Sequence, residues 1–296
     1  MTEIIANLAQ ISDRYDAVFC DLWGCLHNGV TPFPAAVAAL QAFRAKGGKV
    51  ILLTNAPRPK SSIIKQLDDM AVPRDAWDDV VTSGDAAQYA MLSGAVGHKI
   101  NFIGAPKDES FFTDFAEDLQ AVAAGNPPIE RVAPIDAQGI VVTGLVDDLT
   151  ETPEDYRATL LLAKNLNLPM LCANPDIIVH FGDKLLYCAG ALAKLYEELG
   201  GTALYFGKPH PPIYDLARRR LTALGGAEDA RILCIGDGIH TDVQGAIGES
   251  LDALFVTGGI AHESFGTESH NPNKDLLEDW LEATMLSPSY SIGYLR

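Results

Sequence analysis

Six polar residues stand at, or just past, the ends of four short apolar runs: Asp21, Thr54 with Asn55, Lys208, and Asp237 with Asp242. In residues 16–26, DAVFCDLWGCL, the apolar stretch closes on the lone carboxylate of Asp21. Residues 49–54 (KVILLT) close on Thr54-Asn55, residues 204–206 lead into Gly207-Lys208-Pro209, and residues 231–235 (RILCI) lead into Gly236-Asp237-Gly238. Two or three carboxylates suit a hard divalent cation such as Mg²⁺, which takes oxygen ligands. A hydroxyl and an amide can hold phosphoryl oxygens, and a lysine can neutralise charge developing in a transition state. A carboxylate at a strand end can also attack phosphorus itself or simply cap a turn. Each position alone reads as an ordinary loop. Four of them in this order, each closing an apolar strand, read as one site.

The elements that must carry these residues alternate between strand and helix signals. Strands are expected at 17–20, 49–54 and 80–82, separated by helices at 34–46 and 61–70 and followed by a helix at 85–92. The first helix shows its buried stripe at Val37, Leu40 and Phe43 and stops at Gly47-Gly48. A second unit is expected over 94–201, with strands at 99–103, 139–143 and 170–173 and helices at 109–123, 152–165 and 189–199. The first unit then resumes, with strands at 204–206, 231–235 and 253–257 and helices at 212–224, up to Gly248, and at 276–286. The pattern predicts an α/β fold: a doubly wound, Rossmann-like parallel-sheet core (1–93 and 202–296) interrupted by an α/β insertion (94–201). In such a sheet the strand ends converge on one crevice.

Composition narrows the partners. The 296 residues carry a formal charge of −17, which disfavours nucleic acid and anionic membranes. An anionic substrate would need local devices to hold it. No apolar run approaches the ~20 residues of a membrane span, and the first residues lack the basic start and apolar core of a signal peptide. The five cysteines are scattered and odd in number, which predicts reduced, buried thiols in a cytoplasmic protein.

The four strand ends resemble the motifs of the haloacid dehalogenase-like (HAD) hydrolase superfamily, in particular its class IIA phosphatases, over nearly the whole chain. The resemblance matches Asp21 to the nucleophile, Thr54 to the second-motif hydroxyl, Lys208 to the third-motif lysine and Asp237 with Asp242 to the fourth-motif acidic pair. It implies Mg²⁺ held by Asp21, the Trp23 backbone carbonyl and Asp237, with Asp242 supporting. It also implies that 94–201 is a cap of the C2 type, that Asn174-Pro175-Asp176 is its signature, and that the substrate is a small phosphorylated metabolite. Cap-mediated homo-oligomers fit the same resemblance. Asn55, Asn174 and Asp176 are the expected substrate contacts.

One position departs from the pattern. Phosphatases of this superfamily carry a second aspartate two residues after the nucleophile, as general acid and then base, and here Trp23 stands there. His27 is the candidate substitute, because histidine titrates near neutrality. The favoured reading is a phosphatase acting through an aspartyl-phosphate. The alternatives are a silent phosphoryl-ligand binding protein and a haloacid dehalogenase, which needs no metal.

Overall fold

The computed structural model describes residues 2–181, 184–265 and 271–296. Fourteen strands run through them: β1 (Glu3–Ile4), β2 (Ala17–Cys20), β3 (Lys49–Thr54), β4 (Asp79–Thr82), β5 (Lys99–Ile103), β6 (Glu130–Arg131), β7 (Gly139–Val142), β8 (Met170–Cys172), β9 (Ile178–Phe181), β10 (Lys184–Tyr187), β11 (Ala203–Tyr205), β12 (Ile232–Gly236), β13 (Asp252–Val256) and β14 (Tyr290–Ile292). The chain divides into two compact units. One comprises Met1–Thr54, Ile64–Val81 and Tyr214–Arg296, the other Asn55–Ile63 and Thr82–Ile213.

The first unit is built on a seven-stranded sheet of order β1-β14-β13-β12-β2-β3-β4. Strands β2 and β12 are buried along their whole length, as their unbroken apolar sequences demand. The helix Pro34–Ala45 links β2 to β3, starts with proline in its first turn, and buries Ala36, Val37, Leu40 and Phe43. Gly47, at φ +96°, supplies the left-handed residue that ends it. Two strands of this unit carry no sequence signal, β1 and β14. At two and three residues, they are too short to show a periodic pattern.

The second unit holds a five-stranded sheet of order β11-β8-β7-β5-β6, whose pairs are all parallel, and a separate antiparallel hairpin of β9 and β10. Its core gathers Ile140 and Val142 of β7, Met170 and Cys172 of β8, and Leu160, Leu192, Leu195 and Tyr196 of the covering helices. The helix expected at 109–123 is broken into Ser110–Thr113 and Glu117–Gly125. Gln88 Nε2 donates to the carbonyls of Phe111 and Asp114, so a side chain satisfies groups that a continuous helix would have paired.

The strand at 203–205 brings a correction. The sequence pattern assigns it to the first sheet, but β11 pairs with β8, Tyr205 opposite Cys172, and Ala203 and Tyr205 pack on the second unit's core. The strand ends therefore divide: those of β2, β3 and β12 lie on the seven-stranded sheet, and the one leading to Lys208 lies on the other. Among the described residues no helix is long and apolar enough to cross a membrane. All five cysteines are buried, and none forms a disulfide.

Candidate active site

In the seven-stranded sheet the strand order reverses between β2 and β12. From β2 the chain moves outward to β3 and β4, and from β12 to β13 and β14 in the opposite direction. Such a switch point is where open α/β sheets bind ligands. Cys20 lies opposite Ile235 on one side and Leu52 on the other, so Asp21, Thr54 and Asp237 leave the sheet at one edge. The Asp21 amide donates to the Ile235 carbonyl at 2.8 Å, which fixes the carboxylate's base beside the end of β12. Asp21 and Asp237 are only 8% and 3% exposed. A carboxylate oxygen of each and the Cys25 Sγ all lie within 4.8 Å of one another.

Bare backbone surrounds the Asp237 carboxylate. Its Oδ2 accepts the Ile260 N–H at 2.9 Å. A Cβ on Gly24 or on Gly259 would stand 2.0 Å from the same oxygen. Gly24 also needs glycine for its φ of +73°, whereas Gly259 does not have a left-handed backbone, so Gly259→Ala tests the steric point alone. We expect Gly259→Ala to displace the carboxylate and to weaken Mg²⁺ binding tenfold or more in isothermal titration, about 1.4 kcal/mol. Unchanged affinity would mean that Asp237 does not hold the ion. Asp242 turns back on its own loop, its Oδ2 accepting the Gly238 N–H at 3.0 Å. There it braces the stretch that presents Asp237, at the start of a π-helical turn over Ile239–Val243.

The loop after Asp21 is tied to itself. Leu22 O accepts from the amides of Leu26 and His27, and Gly24 N donates to His27 O. Trp23 is 40% exposed, packs its ring edge-on to His27 at 5.6 Å, and lies over Gly29, where a Cβ would come within 2.2 Å of it. An indole there has a face to offer, and its N–H proton is too weakly acidic to transfer. His27 does not make good the loss. It is 1% exposed, burial pushes its pKa down to about 4, and its Nδ1 accepts the Gly29 N–H, leaving the proton of a neutral ring on Nε2. The substitute-acid role read from its position near Asp21 gives way to a structural one.

That depressed pKa has a stability consequence. Between pH 6.5 and 4 the unfolded chain takes up a proton at His27 that the folded chain refuses, so stability falls as the pH falls, by about 3 kcal/mol once pH 4 is reached. In thermal melts from pH 7.5 to 4.5 the wild type should lose more stability than His27→Asn, whose amide oxygen can still accept from Gly29. Parallel losses would contradict the assignment.

In the second unit the remaining predicted residues form a polar knot. Asn55 Oδ1 accepts the Lys208 backbone N–H at 2.7 Å, and its Nδ2 donates to Lys208 O at 3.0 Å and to Asp176 Oδ1 at 2.8 Å. Asn55, read from sequence as a substrate contact, holds the backbone at Lys208 in this structure. Asn174 Oδ1 accepts the Asp176 amide at 3.0 Å, an Asx turn that shapes the loop after β8. The Lys208 and Asn174–Asp176 loops follow adjacent parallel strands. Gly207 is squeezed between them: a Cβ there would stand 2.5 Å from Asn55 Oδ1 and 2.6 Å from Pro175.

Sequence comparison agrees with this geometry. A family model described as haloacid dehalogenase-like hydrolase matches residues 18–116, and a HAD-hydrolase-like model matches 205–283. A solved hydrolase of the haloacid dehalogenase-like family from Brucella suis 1330 is 41% identical, with a TM-score of 0.81, over 99% of this chain and 100% of that one. The chain belongs to the haloacid dehalogenase-like hydrolases. Among the family's curated members, a D-glycerol 3-phosphate phosphatase of Mycobacterium tuberculosis is 27% identical over 86% of this chain, which spans 66% of that protein's length. The solved glycerol phosphate phosphatase of the same organism, in complex with magnesium, has a TM-score of 0.63 at 24% identity, covering 84% of this chain and 70% of that one, a likeness of fold. The sequence gives little sign that Cys25 joins the hydrolase's carboxylate cluster. Its place in the loop directly after Asp21 is the only signal.

Proposed function

We propose that this hydrolase is a Mg²⁺-dependent phosphatase of small phosphate monoesters, working through an aspartyl-phosphate on Asp21. The observation that carries the reading is the meeting of two buried carboxylates, Asp21 and Asp237, at the switch point of the parallel sheet. The donor set fits the ion: two hard oxygen donors, cleared of side chains by Gly24 and Gly259. Asp21, Asp237 and the Trp23 carbonyl would hold Mg²⁺, with Asp242 bracing the loop. The chemistry it supplies when bound is neutralisation of charge on the phosphoryl oxygens.

In the proposed reaction an Asp21 carboxylate oxygen attacks phosphorus, and the bond to the leaving-group oxygen breaks. Thr54 donates a hydrogen bond to a phosphoryl oxygen, and Lys208 supplies a positive charge against the developing negative one. Asn55 keeps the backbone at Lys208 in register. Water then attacks the phosphorus of the aspartyl-phosphate, and the bond from phosphorus to the Asp21 oxygen breaks. Inorganic phosphate leaves while the water's proton passes to solvent, which regenerates the Asp21 carboxylate. With an indole at position 23, the leaving group departs without a proton from that side chain, which favours aryl phosphates over alkyl phosphates. The same observation favours a second reading, a silent phosphoryl-ligand binder, and turnover separates the two.

The names of the relatives support small phosphorylated metabolites as substrates, and substrate specificity is assigned to the proposed cap, 94–201. Five buried cysteines outside any disulfide support a reducing, cytoplasmic setting. The test is a panel of p-nitrophenyl phosphate, glycerol 3-phosphate and other small monoesters, assayed with and without Mg²⁺. Mg²⁺-dependent release of phosphate from at least one is expected. Binding of Mg²⁺ without any turnover would move the protein to the second reading.

A further inference from the structure

Cys25 introduces a soft donor into a hard site. The residue is 1% exposed, and its sulfur lies within 4.8 Å of carboxylate oxygens of both Asp21 and Asp237. The self-tied loop, with Gly24 N bonded to His27 O and Leu26 N to Leu22 O, holds the side chain there. Two carboxylate oxygens and a sulfur make three protein ligands with an open position, the donor count of an open zinc site. Thiolate ligands select borderline and soft divalent ions, which Mg²⁺ cannot match, and the Irving–Williams order places Zn²⁺ well above the early metals.

We propose that Asp21, Cys25 and Asp237 bind Zn²⁺ and its thiophilic analogue Cd²⁺, in exclusion of Mg²⁺, so that thiophilic ions silence this centre. The inference rests on the reading of the carboxylate pair as a cation site. On binding, the metal–sulfur bond forms as the S–H bond breaks, and the thiol proton passes to solvent. The three ligand atoms lie within 4.8 Å of one another. Around a tetrahedral ion with bonds of about 2.0–2.3 Å they would stand about 3.3–3.8 Å apart, so binding draws them together by roughly 1 Å. The ion occupies both carboxylates, and Asp21 is then withdrawn from attack.

The experiment titrates the full-length, chelator-treated chain with Cd²⁺ and follows the ultraviolet sulfur-to-cadmium charge-transfer band. The wild type is expected to show a band saturating at one equivalent, reversed by excess chelator. Cys25→Ser and Cys25→Ala, checked for folding by circular dichroism, should lack it and bind Cd²⁺ at least tenfold more weakly in calorimetry. A wild type with no band, or variants that keep it, would overturn the proposal. Should neither variant fold, cadmium NMR of the wild type decides, since an all-oxygen resonance overturns the thiol ligand and a sulfur-shifted one supports it. Mg²⁺ calorimetry on the same samples separates the two readings. A chain that gives the Cys25-dependent band but binds no Mg²⁺ keeps the thiophilic site and removes the Mg²⁺ assignment.

Discussion

Asp21→Asn should stop turnover, lowering kcat for p-nitrophenyl phosphate by about a thousandfold or more. The amide is nearly isosteric with the carboxylate, and the backbone bond from residue 21 to Ile235 O does not involve the side chain, so the fold survives. What the variant would lose is the attacking oxygen of the proposed reaction. An amide oxygen is a poor nucleophile toward phosphorus, and the cluster's other carboxylate has a second task, since Asp237 accepts from Ile260 and is an expected ligand of the ion. Because Asp21 is also an expected ligand, the variant should bind Mg²⁺ more weakly as well. A stopped-flow or steady-state assay, with thermal melts as a folding control, checks the prediction. Retention of a tenth of the wild-type rate would assign the attack to another group.

Trp23→Asp should act in the opposite direction, and selectively. A carboxyl group at that position restores a proton for the leaving oxygen, an effect of roughly 10²-fold where the leaving group needs one. Alkyl phosphates such as glycerol 3-phosphate should therefore gain about that factor in kcat. Nitrophenolate leaves without help, so p-nitrophenyl phosphate should change little. The substitution is structurally permissive because Trp23 is 40% exposed and its ring contacts are His27 and the bare backbone of Gly29. The ratio of the two rates is the readout, and an equal change on both substrates would show that the indole's effect is on binding or loop shape.

Much of the fold and part of the site are legible in the amino-acid sequence alone. Asp21, Thr54 and Asp237 stand out because each interrupts an unbroken apolar run, and such runs become strands buried on both faces. Topology then brings the strand ends to one edge. The sheet to which residues 203–205 belong is not legible, because a three-residue strand carries no address and pairing with β8 rather than the core is a tertiary choice. Nor is the task of Asn55, whose partner backbone at Lys208 lies 153 positions away. His27 misleads for a related reason: sequence gives its nearness to Asp21, while burial decides its charge. The glycines at 24 and 259 look like turn residues, and only the position of Asp237 between them reveals the steric requirement. Cys25 looks like one more core thiol.

The most direct test of the central claim is to quench the protein during turnover of p-nitrophenyl phosphate, digest it under mildly acidic conditions, and weigh the peptides. The peptide containing Asp21 should carry the mass of one phosphoryl group, labile to base and to hydroxylamine, and absent from Asp21→Asn. Turnover with no phosphorylated peptide, or a phosphoryl group on any other residue, would contradict the account.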